Sequence, residues 1–258
     1  MTVSKPMVGG LQESTLFDNQ VAAFDTSQII MRRTNQQTAK NWTREYHYSA
    51  TAGGGGATYY GAFAPDMIGL VIIAQPTNRF GVAAKYGIET IPGNMEISRV
   101  AVHPEAPRNS ASRIIAMACR QYHQQTGLDW LFSYADTGQG HHGGIYQALN
   151  SIYVGISPPL PGYLIDGKAI HPRTVVSRFG TQAWPAVRDL AAAMGNELIK
   201  VPDMNTAKHT YILPIGNRRT QKSIRRALEQ HVKPYPKRDA QNLGDDSADT
   251  NEIEGYPE

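Results

Sequence analysis

The chain has 258 residues, 41% hydrophobic and 18% charged, with a formal net charge of +3. That length suits one large domain with an extension. The longest apolar run, Met67–Ala74, is too short to span a bilayer, and a single cysteine, Cys119, excludes an internal disulfide framework. The first ten residues, MTVSKPMVGG, lack the hydrophobic core of a signal peptide, so a reducing cytoplasm is the expected location. Charge is unevenly spread. Asn217 to Arg238 hold eight Lys/Arg and one acid, whereas the residues from Asp239 onward hold seven acids and no base. A basic segment is thus followed by an acidic, apolar-poor tail.

Taken in order, residues 1–40 read as an N-terminal arm, with a short strand at Ser14–Phe17 and weak helical character over Ser27–Lys40. Asn41–Ala50 reads as a strand or strand-like loop, because Tyr46, Tyr48 and Ala50 alternate with His47 and Ser49. The glycines Gly53–Gly56 break it. Thr58–Phe63 and Ile68–Ala74 read as a hairpin joined by Ala64-Pro65-Asp66. A loop with Pro76, Gly81 and Gly87 follows, then a strong strand, Glu96–Val102. Ser110–Gln124 has Ile114, Ile115, Ala118, Cys119 and Tyr122 at helical spacing, and Gly127 ends it. Cys119 on that face is expected to pack in the core. Later come a strand (Ser151–Ile156), a hairpin turning at Asp166-Gly167, a helix (Trp184–Met194), strands at Glu197–Val201 and Thr210–Leu213, and the basic helix. The domain is expected to span residues 41–238, with a disordered acidic tail over 239–258.

Trp130–Asn150 stands out. A buried strand ends at Asp136, a glycine-rich turn carries His141 and His142, and a helix follows with Ile145, Tyr146 and Leu149 on one face. A strand leading through such a turn into a helix sets polar groups at the carboxyl edge of a sheet, where α/β proteins bind ligands. The plainer alternative is a tight connection in which Asp136 only serves the turn.

The sequence of hairpin, strand, helix, strand and helix resembles the GNAT acyltransferase core: an α+β fold with a mixed central sheet flanked by helices, here with a C-terminal extension. In that superfamily the loop after the Glu96–Val102 strand cradles a pyrophosphate, with backbone N–H groups and a helix N-terminus aimed at the anion. The matching stretch is Arg108–Arg113, in which Ala111 replaces the first glycine of the pattern and Arg113 fills its last position. Arg108, Ser110 and Arg113 are the cofactor-binding candidates.

The joint occurrence of His47-Tyr48-Ser49, Glu96-Ile97-Ser98-Arg99-Val100, Ala106-Pro107-Arg108-Asn109, Ser133-Tyr134-Ala135-Asp136 and Gly144-Ile145-Tyr146-Gln147-Ala148 is similar to the phage Mom family. That resemblance implies conversion of adenine in DNA to its N6-methylcarbamoyl form, protecting phage DNA from restriction in the host cytoplasm. It nominates His47, Tyr48, one of Tyr59 and Tyr60 (with Tyr60 carried forward), Arg99, Ser112, Asp136 and Tyr146 as catalytic. It also implies iron, for which His47, Tyr48, Asp136 and Tyr146 offer nitrogen and oxygen ligands; a Tyr–His–Asp proton relay is the alternative. Each residue also has a structural reading: strand aromatics, a structural histidine, an ion pair of Arg99 with Glu96 or Asp136, a core Tyr146. The target nitrogen lies in the base stack, so double-stranded DNA must present a flipped adenine, and a small molecule, acetyl-coenzyme A or another donor, must supply the group. Arg218, Lys222 and Arg226, with Arg225 alongside, form a positive stripe suited to DNA phosphates, or simply a solvated face. Two other functions fit parts of the pattern: an acyl-coenzyme A-dependent N-acetyltransferase acting on a small amine, and a non-catalytic DNA-binding protein.

Overall fold

Seven strands form the main sheet of the protein, seen here in a computed structural model that describes residues 24–52, 56–76, 81–170, 175, 178–181 and 183–237. They are β1 (Ile30–Arg33), β2 (Thr58–Phe63), β3 (Met67–Ala74), β4 (Met95–Val102), β5 (Trp130–Asp136), β6 (Ile152–Ile156) and, late in the chain, β10 (Lys208–Pro214). Their order is β1-β2-β3-β4-β5-β10-β6. All neighbours are antiparallel except β4 and β5, which run parallel. The mixed sheet flanked by helices is the α+β architecture expected.

Residue alternation decides which helix covers which face. From β5, Leu131 and Ala135 join Ile114, Ile115 and Ala118 of α3 (Ser110–Thr126) and Tyr146 of α4 (Gly144–Gln147). Trp130 and Phe132 point to the other face, under α2 (Gly81–Tyr86) and α6 (Arg218–Ala227). The β3 and β4 part of that face carries α1 (Gln36–Tyr46), through Trp42, Leu70, Ile72 and Ala101. Cys119 is buried, and burial pushes its thiol up to about 12, so it packs rather than reacts. Among the described residues no helix is long and apolar enough to cross a membrane.

Three local expectations change. Residues 41–46 are helix, because Asn35 caps the Thr38 amide at 2.9 Å and Ala39, Trp42, Thr43 and Tyr46 make one inward stripe; the alternation at Tyr46–Ala50 straddles the helix end. Ile30–Arg33, inside the expected arm, pairs with β2 as a strand, so the sheet starts before residue 41. The loop after β3 contains α2. The Ser14–Phe17 strand and the acidic tail lie outside the described residues. Between β6 and β10 a second sheet, β8-β7-β9, is made of β7 (Leu160–Ile165), β8 (Lys168–Ile170) and β9 (Leu198–Asn205). With α5 (Trp184–Ala193) it encloses a separate core around Val175, Val187 and Ala191.

Candidate functional site

A gap in the main sheet organises the site. β4 and β5 pair only at Met95–Leu131 and Glu96–Phe132, then part. Opposite Ile72 and Ile73 the register of β4 slips past Ser98, and a bulge of this kind bends its strand. Ser133 spans the crotch of the resulting fork, donating to the Ile97 carbonyl at 2.8 Å. A hydroxyl has one proton to give, so in the 2.6 Å contact between Ser133 and Tyr146 the tyrosine donates. Burial holds the Tyr146 phenol above its ordinary range. Tyr146 is thus a neutral hydroxyl, pinned through Ser133 to the fork, with acceptor lone pairs left for the cavity it lines.

That cavity, about 300 Å³, is walled by Val100 and Val102, Tyr134 and Ala135, the start of α3 at Asn109–Ser112, and His141–Tyr146. Asn109 enters α3 at φ +66°, a left-handed turn that asparagine tolerates. The Ser110 amide is taken by the Pro107 carbonyl at 3.1 Å, while those of Ala111 and Ser112 have no backbone acceptor among the described residues. Ser110 is 2% exposed, and its buried Oγ has no hydrogen-bond partner there. Two open amides, the positive end of a helix and an unspent hydroxyl suit an anionic group. Ser112 also lines this wall, its hydroxyl donating to the Asn109 carbonyl at 3.1 Å. Arg108 and Arg113 do not line it; Arg113 lies near Asp25 instead.

The other wall depends on Gly143, at φ +83°. A Cβ there would come within 2.3 Å of the Tyr211 ring. Tyr211 donates its hydroxyl to the His142 carbonyl, and its ring lies 5.4 Å from that of Tyr146. The Gln147 amide group reaches the His142 carbonyl at 3.2 Å, the Tyr211 hydroxyl at 3.1 Å and the Pro236 carbonyl at 3.2 Å. It therefore ties the cavity loop to the segment after α6.

A second group of residues gathers on the α1 face. Arg99 is in register with Ile72 and, beyond it, Tyr59. Its Nε and a terminal nitrogen donate to the Thr51 carbonyl and hydroxyl, each at 3.2 Å, which anchors the segment after α1. His47 ends α1. Its Nδ1 receives the Ser49 amide at 3.1 Å; an amide can only donate, so the ring proton sits on Nε2. Burial, then the Arg99 and His141 charges, lower the His47 pKa to about 4, so the ring is neutral at physiological pH. Tyr48 stacks on it, with centroids 4.4 Å apart and planes at 28°, and meets the edge of His141 at 5.6 Å. Burial, and next the charge of Asp136, raise the Tyr48 phenol.

Asp136 is committed to its turn. Its Oδ1 accepts the Gly138 amide at 3.0 Å and the Thr206 hydroxyl, and Lys208 Nζ stands 3.8 Å from Oδ2. Tyr60 is fully buried and its hydroxyl donates to Gln125 at 2.8 Å, leaving Tyr59 as the member of the pair aligned with Arg99. Each of the four residues nominated for iron has other contacts in this arrangement. Tyr146 gives its proton to Ser133 and keeps its lone pairs, His47 accepts the Ser49 amide at Nδ1 while Tyr48 stacks on its ring, and Asp136 is shared between an amide, a hydroxyl and an ammonium. Among the described residues no group of three or more His, Cys, Asp or Glu side chains is placed to hold a metal ion. Ser133, Gln147 and Tyr211 were not singled out from sequence. Ser133 carried a signal, a small polar residue facing the core of the apolar strand Trp130–Tyr134.

In the basic helix, Asn217 caps the Thr220 amide at 3.0 Å, and Ile224 and Leu228 are fully buried. Arg218, Lys222 and Arg226 are exposed, whereas Arg225 donates to the Asn150 carbonyl at 2.7 Å and so is partly used in holding α6 to the domain.

The sequence matches the Mom protein family over residues 28–237. It is 26% identical over 226 residues to the methylcarbamoylase Mom of Escherichia phage Mu, covering 86% of this chain and 89% of that protein. Similar solved structures include FeeM, an N-acyl amino acid synthase from uncultured soil microbes, with 14% identity, a TM-score of 0.43, and coverage of 75% of this chain and 94% of that one. Another is the aminoglycoside 6'-N-acetyltransferase from Enterococcus faecium, with 11% identity, a TM-score of 0.40, and coverage of 73% and 98%. The family match runs from before β1 to beyond α6 and takes in the whole fork, so the chain belongs to the Mom protein family.

Proposed function

We propose that this protein is a transferase that converts adenine in DNA to its N6-methylcarbamoyl form and thereby shields phage DNA from host restriction. Family membership and the similarity to the phage Mu methylcarbamoylase support the reaction type. The observation that carries the reading is the fork between β4 and β5, which has an anion-binding helix start on one face, the His47–Tyr48–Arg99 group on the other, and Tyr146 between them. In this reading the donor's anionic portion rests at the start of α3, against Ser110, Ala111 and Ser112, and the base enters from the α1 face. The base must leave the duplex first, at a cost of roughly a few kcal/mol. The Arg218–Lys222–Arg226 stripe holds the flanking phosphates.

N6 is a weak nucleophile because its lone pair is delocalised into the ring. The product, taken as N6–CH2–C(=O)–NH2, needs a bond from N6 to a CH2 carbon, formed as the donor's leaving group departs and N6 loses a proton. Acetyl transfer from acetyl-coenzyme A would leave an amide instead, so such a donor satisfies the anion site but not the product. Tyr146 contributes position: its neutral oxygen accepts an N–H of the incoming amine, while Ser133 and Ile97 fix its own proton. The test is mass analysis of nucleosides from DNA of cells making the protein. The modified deoxyadenosine is expected. Unmodified DNA together with consumption of an acyl-coenzyme A on a small amine would replace this reading with an N-acetyltransferase.

A further inference from the structure

Tyr48 is the anomaly of the α1 face. It is a large aromatic side chain left 56% exposed, yet its ring is held, stacked on His47 at 4.4 Å and flanked by His141 at 5.6 Å. Its hydroxyl has no hydrogen-bond partner among the described residues, in contrast to those of Tyr60, Tyr146, Tyr153, Tyr211 and Tyr235. A buried phenol is normally bonded through its oxygen; an exposed one held by its ring offers a fixed plane with surface still open for stacking.

We propose that the His47–Tyr48 pair is an aromatic shelf for the extruded base, on which Tyr48 works through its ring face and not its hydroxyl. One face of the Tyr48 ring is stacked on His47 and His141 makes an edge-type contact with it, yet more than half of the residue stays exposed, so a purine extends the stack on the ring surface left to solvent. Arg99 fixes the shelf by gripping Thr51, three residues beyond Tyr48. The ligand class is a planar, unpaired nucleobase, and a purine gains more than a pyrimidine because its larger ring system covers more of the tyrosine. This rests on the DNA-adenine reading above and names the subsite that takes the base.

Binding and chemistry are measured separately so that the two proposals fail separately. Fluorescence anisotropy is read with the full chain on short single-stranded oligonucleotides that differ only in one central adenine or an abasic position. The wild type is expected to prefer the adenine. Tyr48→Ala should lose roughly five- to 150-fold of that preference, the usual range for removing one base–aromatic stack, while Tyr48→Phe, which keeps the ring, restores most of it. The modified-adenine fraction in cells should rank the variants the same way. A Phe variant as defective as Ala would assign the role to the hydroxyl and overturn the shelf, as would a wild type that binds adenine and abasic strands alike. A shelf that behaves as expected in binding, with DNA left unmodified by the wild type, would refute the proposed reaction and leave the base site standing.

Discussion

Gly143→Ala is the substitution the cavity wall should tolerate least. Two costs add at this position. The backbone sits at φ +83°, and holding a non-glycine residue in the left-handed region costs about 1–2 kcal/mol. The new methyl would also lie 2.3 Å from Tyr211 Cε2 and 2.6 Å from Cζ. Tyr211 has nowhere to move: it is fully buried, and its ring lies 5.4 Å from that of Tyr146 and 5.1 Å from that of Tyr153. Overpacking of this kind costs roughly 1–3 kcal/mol, giving about 2–5 kcal/mol together. Gly127→Ala is the matched control, since Gly127 has φ +70° but nothing within 4 Å of its would-be Cβ. It bears the backbone cost alone. Urea denaturation of both variants measures the difference, and adenine modification should fall in Gly143→Ala, because a displaced Tyr211 moves both Tyr146 and the His142 carbonyl. Equal destabilisation by the two substitutions would refute the claim that Tyr211 buttresses the wall.

Asp136→Asn keeps an acceptor for the Gly138 amide and the Thr206 hydroxyl, so folding and most of the modification should survive; a loss of orders of magnitude in modified deoxyadenosine, at equal soluble protein, would show that its charge takes part in the reaction. Replacing both Lys222 and Arg226 by Ala should weaken DNA binding evenly across sequences and reduce the salt slope by about one unit per lost phosphate contact. An unchanged slope removes α6 from the interface. Burial, with the Arg99 and His141 charges, lowers the His47 pKa in the folded chain to about 4, below the ordinary value of 6.5, so the unfolded chain takes up its proton first. Its contribution to stability is full above pH 6.5 and is lost as pH falls from there towards 4. Denaturation midpoints between pH 7 and pH 4.5 should fall less steeply in His47→Gln than in the wild type.

The main sheet was legible in the sequence where neighbouring residues settle the matter. Thr58–Ala74 has a turn between two apolar runs, and the helix after Pro107 has its apolar stripe and a terminal glycine. Asn41–Tyr46 misled because its aromatic residues fit two periods at once. The longer one prevails through Asn35 and Trp42, the first as cap and the second through a hydrogen bond from its ring nitrogen to the Ala101 carbonyl, 59 positions away. No local pattern encodes such a partner. The choice between Tyr59 and Tyr60 was undecidable for a related reason. Adjacent strand residues face opposite ways, and which faces Arg99 is set by the β2–β3–β4 register and not by composition.

The candidate site shows a deeper reason for partial legibility. Motif residues mark positions that matter without saying by which atom they act. The resemblance nominated Asp136 and His47 by position alone; hydrogen-bond accounting turns Asp136 towards its own turn and leaves His47 with a proton on Nε2 in place of a lone pair. Tyr146 becomes informative only with Ser133, because one hydroxyl proton, claimed by the Ile97 carbonyl, dictates the direction of the next bond. The same accounting separates the tyrosines. Those whose hydroxyls are bonded are fixed parts of the wall or core, whereas Tyr48, stacked on His47 and half open to solvent, is left with only its ring to offer a substrate. Its Phe and Ala variants therefore separate ring from oxygen at a tyrosine whose hydroxyl has no hydrogen-bond partner among the described residues.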